Sequence, residues 1–167
     1  PGTGKTQTLA KIAWAHIDKG ERVLMLSYSN VSVDGAILRV TSLKNDVFPG
    51  QLVRYGFPKD KRISEHPYLS SYNLAISNYP DLLKRRTQLQ AEKKRLEKND
   101  PKLIQVEKEL NEIRRELRAA ESQCVRNAKF VATTVSKAIV DKEIRNGAFD
   151  VVIFDEASMA TIPQIAY

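Results

Sequence analysis

The sequence predicts an α/β fold in which helices flank a parallel β-sheet. Gly4, Lys5 and Thr6 open a segment at 5–19 in which apolar residues recur at helical spacing. A short apolar run at 22–27 follows, which is the step from helix to strand in a parallel sheet. A second apolar run at 151–154 ends in two adjacent carboxylates. Two strands that each follow helical segments favour the α/β class.

The opening residues match most of a P-loop, the phosphate-binding turn with the pattern G-x-x-x-x-G-K-S/T. Glycines let such a turn curl with its N–H groups pointing inward, the lysine reaches the β- and γ-phosphates, and the hydroxyl ligates magnesium. The first glycine of the pattern would lie before residue 1, so we expect a longer protein. The candidate nucleotide-binding residues are Gly2, Thr3, Gly4, Lys5, Thr6 and Gln7.

The carboxylates after the strand at 151–154 complete a predicted site for ATP and Mg²⁺. Asp155 is expected to hold the metal together with Thr6, because Mg²⁺ takes few protein ligands and keeps several waters. Glu156 is expected to orient or deprotonate the attacking water, which makes it a catalytic residue beside Lys5. Each motif alone has a plain alternative, a chance turn or a polar loop, but the pair favours a P-loop NTPase.

Composition and charge narrow the class of protein further. The 167 residues contain 27 Lys and Arg against 20 Asp and Glu, a formal charge of +7, which suits a polyanionic partner. The single cysteine, Cys124, excludes an internal disulfide and fits a reducing cytoplasm. We see no apolar run of spanning length and no signal peptide, and we therefore expect no membrane partner.

The segments between the two motifs are predicted less sharply. A helix is expected at 31–43 and a strand at 51–55, while the region 47–80, rich in Pro, Gly, Ser and Tyr, is expected to be otherwise irregular. A strand at 129–134 ends in two threonines, and one short helix is expected at 135–147.

Residues 81–126 differ in composition and predict an antiparallel helical hairpin. The stretch is dense in Lys, Arg, Glu and Leu, and its leucines suggest one continuous coiled coil. Asp100 and Pro101 argue against that, because they form a good N-cap and first helical residue. We therefore predict two helices, at about 81–98 and 101–126. The leucines at steps of seven are Leu82, Leu89, Leu96, Leu103, Leu110 and Leu117.

Four motifs in order along the chain resemble the first motor domain of superfamily 1B helicases. They are Gly-Thr-Gly-Lys-Thr, Ser-Asn-Val-Ser-Val-Asp, Ala-Thr-Thr and Asp-Glu-Ala-Ser, and the most similar group contains the RNA-surveillance and Okazaki-fragment-processing helicases. The resemblance implies a RecA-like ATPase domain whose two parts, residues 1–80 and 127–167, are separated by the inserted hairpin at 81–126. Met159 stands where many relatives have Gln.

The resemblance also implies partners and an activity. Ser29 and Asn30, in the motif Ia segment, and Thr133 and Thr134 are expected to contact the backbone of single-stranded DNA or RNA. A second RecA-like domain of the parent chain would complete the ATP site, and hydrolysis would drive translocation and unwinding. DNA and RNA remain equally open.

Two other functions stay open on the sequence. One is a P-loop ATPase that acts as a regulatory switch without unwinding, and the other is a scaffold built on the hairpin with a relic nucleotide site. The basic face of the hairpin is an alternative nucleic-acid surface.

Overall fold

A computed structural model describes residues 4–97 and 99–159 of the chain. The strands are β1 (Val23–Ser27), β2 (Leu52–Arg54), β3 (Phe130–Thr134) and β4 (Val151–Phe154). The helices are α1 (Lys5–Ile17), α2 (Asn30–Thr41), α3 (Lys61–Ser64), α4 (Ser71–Asn78), α5 (Pro80–Arg95), α6 (Lys102–Asn127), α7 (Val135–Val140) and α8 (Lys142–Arg145). A 3₁₀ turn follows at Ala157–Met159. The four strands form one parallel sheet in the order β2-β3-β1-β4. The predicted α/β class, a parallel sheet flanked by helices, is confirmed.

Helices α1 and α2 cover one face of the sheet. Their apolar positions form one buried cluster with side chains from all four strands. Trp14 also donates from its indole N–H to the carbonyl of Val40, at 2.8 Å, so its polar group is satisfied within the core. Gly20 follows the end of α1, and its N–H donates to the carbonyl of Ile17. The helix ends at Ile17, two residues before its expected end at Lys19. Its C-cap is Asp18, and Gly20, with φ 85, lies in the turn that follows.

Helices α6, α7 and α8 cover the opposite face. Leu24, Val53 and Val131 point from the strands into a cluster that includes Cys124 of α6 and Ile144 of α8. Cys124 is buried as a free thiol, and burial raises its pKa. It acts as a small apolar residue of this core.

The predicted helical pair is present as α5 and α6, and the ends of the two helices lie close to their expected positions. Asp100 accepts from the N–H of Lys102 at 2.8 Å, and Pro101 has helical dihedral angles, as the N-cap prediction required. Arg85 pairs with Glu109, and this contact between the helices fits an antiparallel hairpin. The apolar seam of α6 is buried at Val106, Leu110, Ile113, Leu117, Ala120 and Cys124.

Two secondary-structure predictions were wrong. The region 47–80 is not irregular outside its strand, because it contains α3 and α4; Ser70 caps α4 by accepting from the N–H of Asn73. The helix predicted at 135–147 is two helices, because Asp141 is extended and its carboxylate caps α8 at the N–H of Glu143. In both places a local cap decided the outcome.

The carboxyl ends of the strands gather at one edge of the sheet. The register pairs Ser27 with Thr134 and Leu26 with Phe154, so the ends of β1, β3 and β4 lie side by side. Helix α1 leads back to the start of β1 and therefore begins at this same edge. None of the helices in the described part of the chain is long and apolar enough to cross a membrane.

Candidate nucleotide and nucleic-acid sites

The amino end of α1 opens at the carboxyl edge of the sheet without a side-chain cap. Gly4 precedes the helix with φ 76 and ψ 9, a left-handed conformation that costs other L-residues about 1–2 kcal/mol. A Cβ on Gly4 would meet no described atom within 4 Å, so its conformation rather than space calls for glycine. Lys5 and Thr6 are exposed, and the first turn contains no acidic residue. Such an end favours an anion. Gly2 and Thr3 lie outside the described residues.

The end of β4 delivers two carboxylates to the same edge. The N–H of Asp155 donates to the carbonyl of Leu26 at 2.9 Å, so the ladder with β1 continues to this residue. Glu156 then adopts φ 59, and it is the only residue other than glycine with positive φ among those described. A left-handed conformation is unfavourable for a glutamate and is typical of functional sites. The side chain of Glu156 is exposed.

Two buried polar atoms near this edge have no partner among the described residues. They are Oγ of Ser27, whose residue is fully buried at the end of β1, and Oε1 of Gln7 in the first turn of α1. Buried polar atoms are nearly always hydrogen-bonded, to protein, water or ligand. Their presence fits a polar ligand at this edge. Ser27 was missed by the sequence analysis, although a serine closing an apolar strand was a usable signal.

The residues present fit a nucleotide with Mg²⁺. Thr6 and Asp155 supply the oxygen ligands that Mg²⁺ prefers, and α1 contacts β4, which brings their two elements together. The described residues contain no group of three or more His, Cys, Asp or Glu that could hold a metal by themselves. Mg²⁺ bound through few protein ligands and the phosphates of its substrate matches this donor set.

The four predicted nucleic-acid residues lie at or beside the carboxyl edge, but their side chains differ in availability. Ser29 is exposed and caps α2, accepting from the N–H of Ser32 at 3.0 Å. Asn30 is partly exposed, and Thr134 caps α7 at the N–H of Lys137. The side chain of Thr133, in contrast, points into the protein: its hydroxyl is fully buried and donates to the carbonyl of Tyr55 at 2.9 Å. A phosphate on the surface cannot reach that hydroxyl.

A buried ion pair lies directly beneath Asn30. Arg54, at the end of β2, is 1% exposed, and its Nε donates to Oδ1 of Asp34 in α2 at 2.7 Å. Its Nη2 donates to the side-chain oxygen of Asn30 at 2.7 Å, which directs the amide nitrogen of Asn30 away from the pair. Burial lowers the pKa of the Arg54 guanidinium, while the hydrogen bond and charge of Asp34 raise it. The pair fixes the amide that is predicted to meet a phosphate.

This ion pair was not among the predictions from the sequence. Its signal was an arginine inside the apolar run of β2, where a charge requires a partner.

Comparisons with known proteins identify the family. A family described as an AAA domain matches residues 69–167. The chain is 29% identical to "DNA polymerase alpha-associated DNA helicase A" of Schizosaccharomyces pombe, over 98% of the chain and 25% of that protein. It is 31% identical to "DNA-binding protein SMUBP-2" of Rattus norvegicus, over 96% of the chain and 17% of that protein. The chain thus spans a quarter or less of the length of these relatives. It belongs to the AAA domain family, in the superfamily 1B helicase-like group, as a helicase-type motor domain.

Proposed function

We propose that the chain is the first RecA-like motor domain of an ATP-dependent helicase that translocates on single-stranded nucleic acid. The observation that carries this proposal is that the uncapped amino end of α1 and the two carboxylates that follow β4 lie at the same edge of the sheet. The left-handed conformation of Glu156 supports a catalytic role for its side chain.

Each residue at the nucleotide site has a chemical role in this proposal. The amino end of α1 and Lys5 bind the phosphates of ATP, and Thr6 and Asp155 would hold Mg²⁺. When bound, Mg²⁺ neutralises charge on the phosphates. The carboxylate of Glu156 orients the attacking water and accepts its proton. A second RecA-like domain of the parent chain supplies the other side of the site.

The nucleic acid would cross the same edge of the sheet. In this proposal Ser29, Asn30 and Thr134 contact phosphates, and Thr133 supports the loop after β2 through its buried hydroxyl. Backbone contacts of this kind carry no base specificity. The names of the two relatives, a DNA helicase and a DNA-binding protein, favour DNA as the strand.

The hairpin α5–α6 is the weaker candidate for this contact. Several of its basic side chains are neutralised by ion pairs, among them Lys93 with Glu107 and Lys84 with Asp81. In this proposal residues 1–80 and 127–167 form the ATPase core and 81–126 an inserted helical subdomain. The single cysteine, buried and free, supports a reducing cytoplasm as the location.

The full-length protein carrying Glu156→Gln tests the proposal. It should bind ATP like the wild type but hydrolyse it about 10²–10⁴-fold more slowly in the presence of a single strand. Glu21→Gln is the matched control, since Glu21 lies at the opposite edge of the sheet, where it pairs with His16. Wild-type turnover in Glu156→Gln would refute the assigned role. ATPase activity that no single strand stimulates would favour a regulatory switch over a helicase.

A further inference from the structure

An exposed aromatic ring lies at the carboxyl edge, on the loop that follows β2. Phe57 is 75% exposed, and no motif of the sequence analysis includes it. Single exposed apolar residues are common and require no explanation by themselves. Phe57 differs because hydrogen bonds hold the backbone of its loop and a cationic side chain, Lys59, lies beside its ring.

The buried pair beneath Asn30 also holds the backbone of this loop. The Nη2 atom of Arg54 donates to the carbonyl of Phe57 at 3.4 Å, and Oδ2 of Asp34 accepts from the N–H groups of Lys59, at 2.6 Å, and Asp60, at 3.0 Å. The loop is therefore tied to charges in the core at Phe57 and at the two residues that follow Pro58. A loop whose backbone is held before binding loses little conformational entropy when a ligand covers it.

The same arrangement couples Phe57 to the predicted phosphate contact. Nη2 of Arg54 donates both to the carbonyl of Phe57 and to the side-chain oxygen of Asn30. Because both acceptors bind the same nitrogen, at 3.4 Å and 2.7 Å, they lie close to each other. The backbone of Phe57 and the side chain of Asn30 are therefore neighbours, and we expect the two residues to meet adjacent parts of one nucleotide chain.

The surroundings of Phe57 suit a nucleobase and its phosphate. The ammonium of Lys59 lies 5.5 Å from the centroid of the ring. A cavity of about 390 Å³ opens beside the loop, with Phe57, Pro58 and Tyr72 as apolar walls, Asn73 as a polar wall and Glu121 as an acidic wall. A flat apolar wall beside positive charge is the combination by which proteins bind single strands without reading their sequence.

We propose that Phe57 is a stacking platform for one base of the bound single strand, with the adjoining phosphate on Asn30 and Lys59. This inference rests on the proposed function and adds to it a residue that touches a base. Because every base has a flat face, stacking on Phe57 tolerates any sequence.

Affinities for two strands test the platform in the full-length protein. We would measure fluorescence anisotropy with a normal single strand and with a strand of the same length in which all bases are removed. Phe57→Ala should weaken binding of the normal strand by about 5- to 150-fold and leave the abasic strand unaffected. Phe48→Ala is the control, because Phe48 is also an exposed phenylalanine, at 60%, but precedes β2 at the opposite edge.

A second variant reports stacking directly. In Phe57→Trp the new indole would be an exposed emitter, and its signal is the difference from the wild-type protein. A bound base should quench this fluorescence, and the abasic strand should not.

The possible outcomes separate the two proposals. Equal affinity of wild type and Phe57→Ala for the normal strand, or an equal loss on both strands, would overturn the platform and leave the motor function intact. A wild type that binds neither strand would overturn both. Unchanged ATP affinity in Phe57→Ala is expected, since the ring lies on the loop after β2 and not at α1 or β4.

Discussion

Replacing Arg54 should show how much the buried pair contributes to the stability of this edge. In Arg54→Met the side chain keeps its length and apolar character but loses its charge and its donors. Asp34, 2% exposed, would then be a buried carboxylate without its cation. The side-chain oxygen of Asn30 and the carbonyls of Tyr55 and Phe57 would each lose a donor as well.

The expected loss is large for a single substitution. Removing one partner of a buried ion pair typically costs about 3–5 kcal/mol, because the remaining charge stays desolvated. Domains of this kind have total stabilities of about 5–15 kcal/mol. At about 2–4 °C per kcal/mol for chains of this size, the melting temperature should fall by about 6–20 °C. Arg54→Lys should also lose stability, since an ammonium cannot reproduce the fork of the guanidinium.

Urea unfolding followed by the fluorescence of Trp14 measures this loss. Arg62→Met is the matched control: Arg62 also pairs with an aspartate, Asp60, but is 74% exposed, and its replacement should leave the unfolding curve nearly unchanged. Adding Asp34→Asn to Arg54→Met removes the unpaired carboxylate charge. The double variant should therefore lose much less unfolding free energy than the sum of the two single variants. Wild-type stability in Arg54→Met, or strictly additive losses in the double variant, would refute this account of the pair.

Three further predictions concern the ATP site, the strand and pH. Lys5→Ala should strongly weaken ATP binding by the full-length protein with Mg²⁺; equal affinities by calorimetry would exclude the P-loop assignment. Asn30→Ala with Thr134→Ala should weaken binding of two unrelated oligonucleotides to the same degree across a salt series, with ATP binding nearly unchanged. A loss restricted to one oligonucleotide would contradict backbone contact. Burial raises the pKa of Glu121, while its bond from Ser71 and the charges of Lys137 and Arg118 lower it. The pKa of Glu121 in the folded protein is thus raised above its ordinary value of 4.5. Protonated Glu121 therefore contributes stability at pH values below 4.5, and this contribution is lost as the pH rises through the raised pKa. Glu121→Gln should therefore match the wild type at low pH and exceed it at neutral pH; a difference in unfolding free energy that does not change with pH would show the sign to be wrong.

The helical hairpin shows what local pattern can and cannot predict. The break at Asp100 and Pro101 and the apolar seam of α6 were readable, because caps and helical periodicity depend on residues within a few positions. The residues that pack against that seam could not be predicted from local pattern. Tyr72 and Ile76 of α4 pack on the cluster at Leu89 and Leu110, and α4 itself lies in a region whose composition resembles a loop.

The candidate site divides in the same way. The sequence by itself determined the α/β class, the helix that follows Gly4 and the strand that precedes Asp155, because backbone conformation and hydrophobic period are local properties. Only the tertiary structure decided that Arg54 reaches Asp34 and Asn30, that the hydroxyl of Thr133 is buried, and that Phe57 stands exposed beside the predicted phosphate contact. These facts depend on the order β2-β3-β1-β4, in which β2 lies beside β3, a strand some 75 residues later in the chain. Contacts between elements so far apart in sequence follow from how the helices pack on the sheet, and neither spacing nor composition specifies that packing.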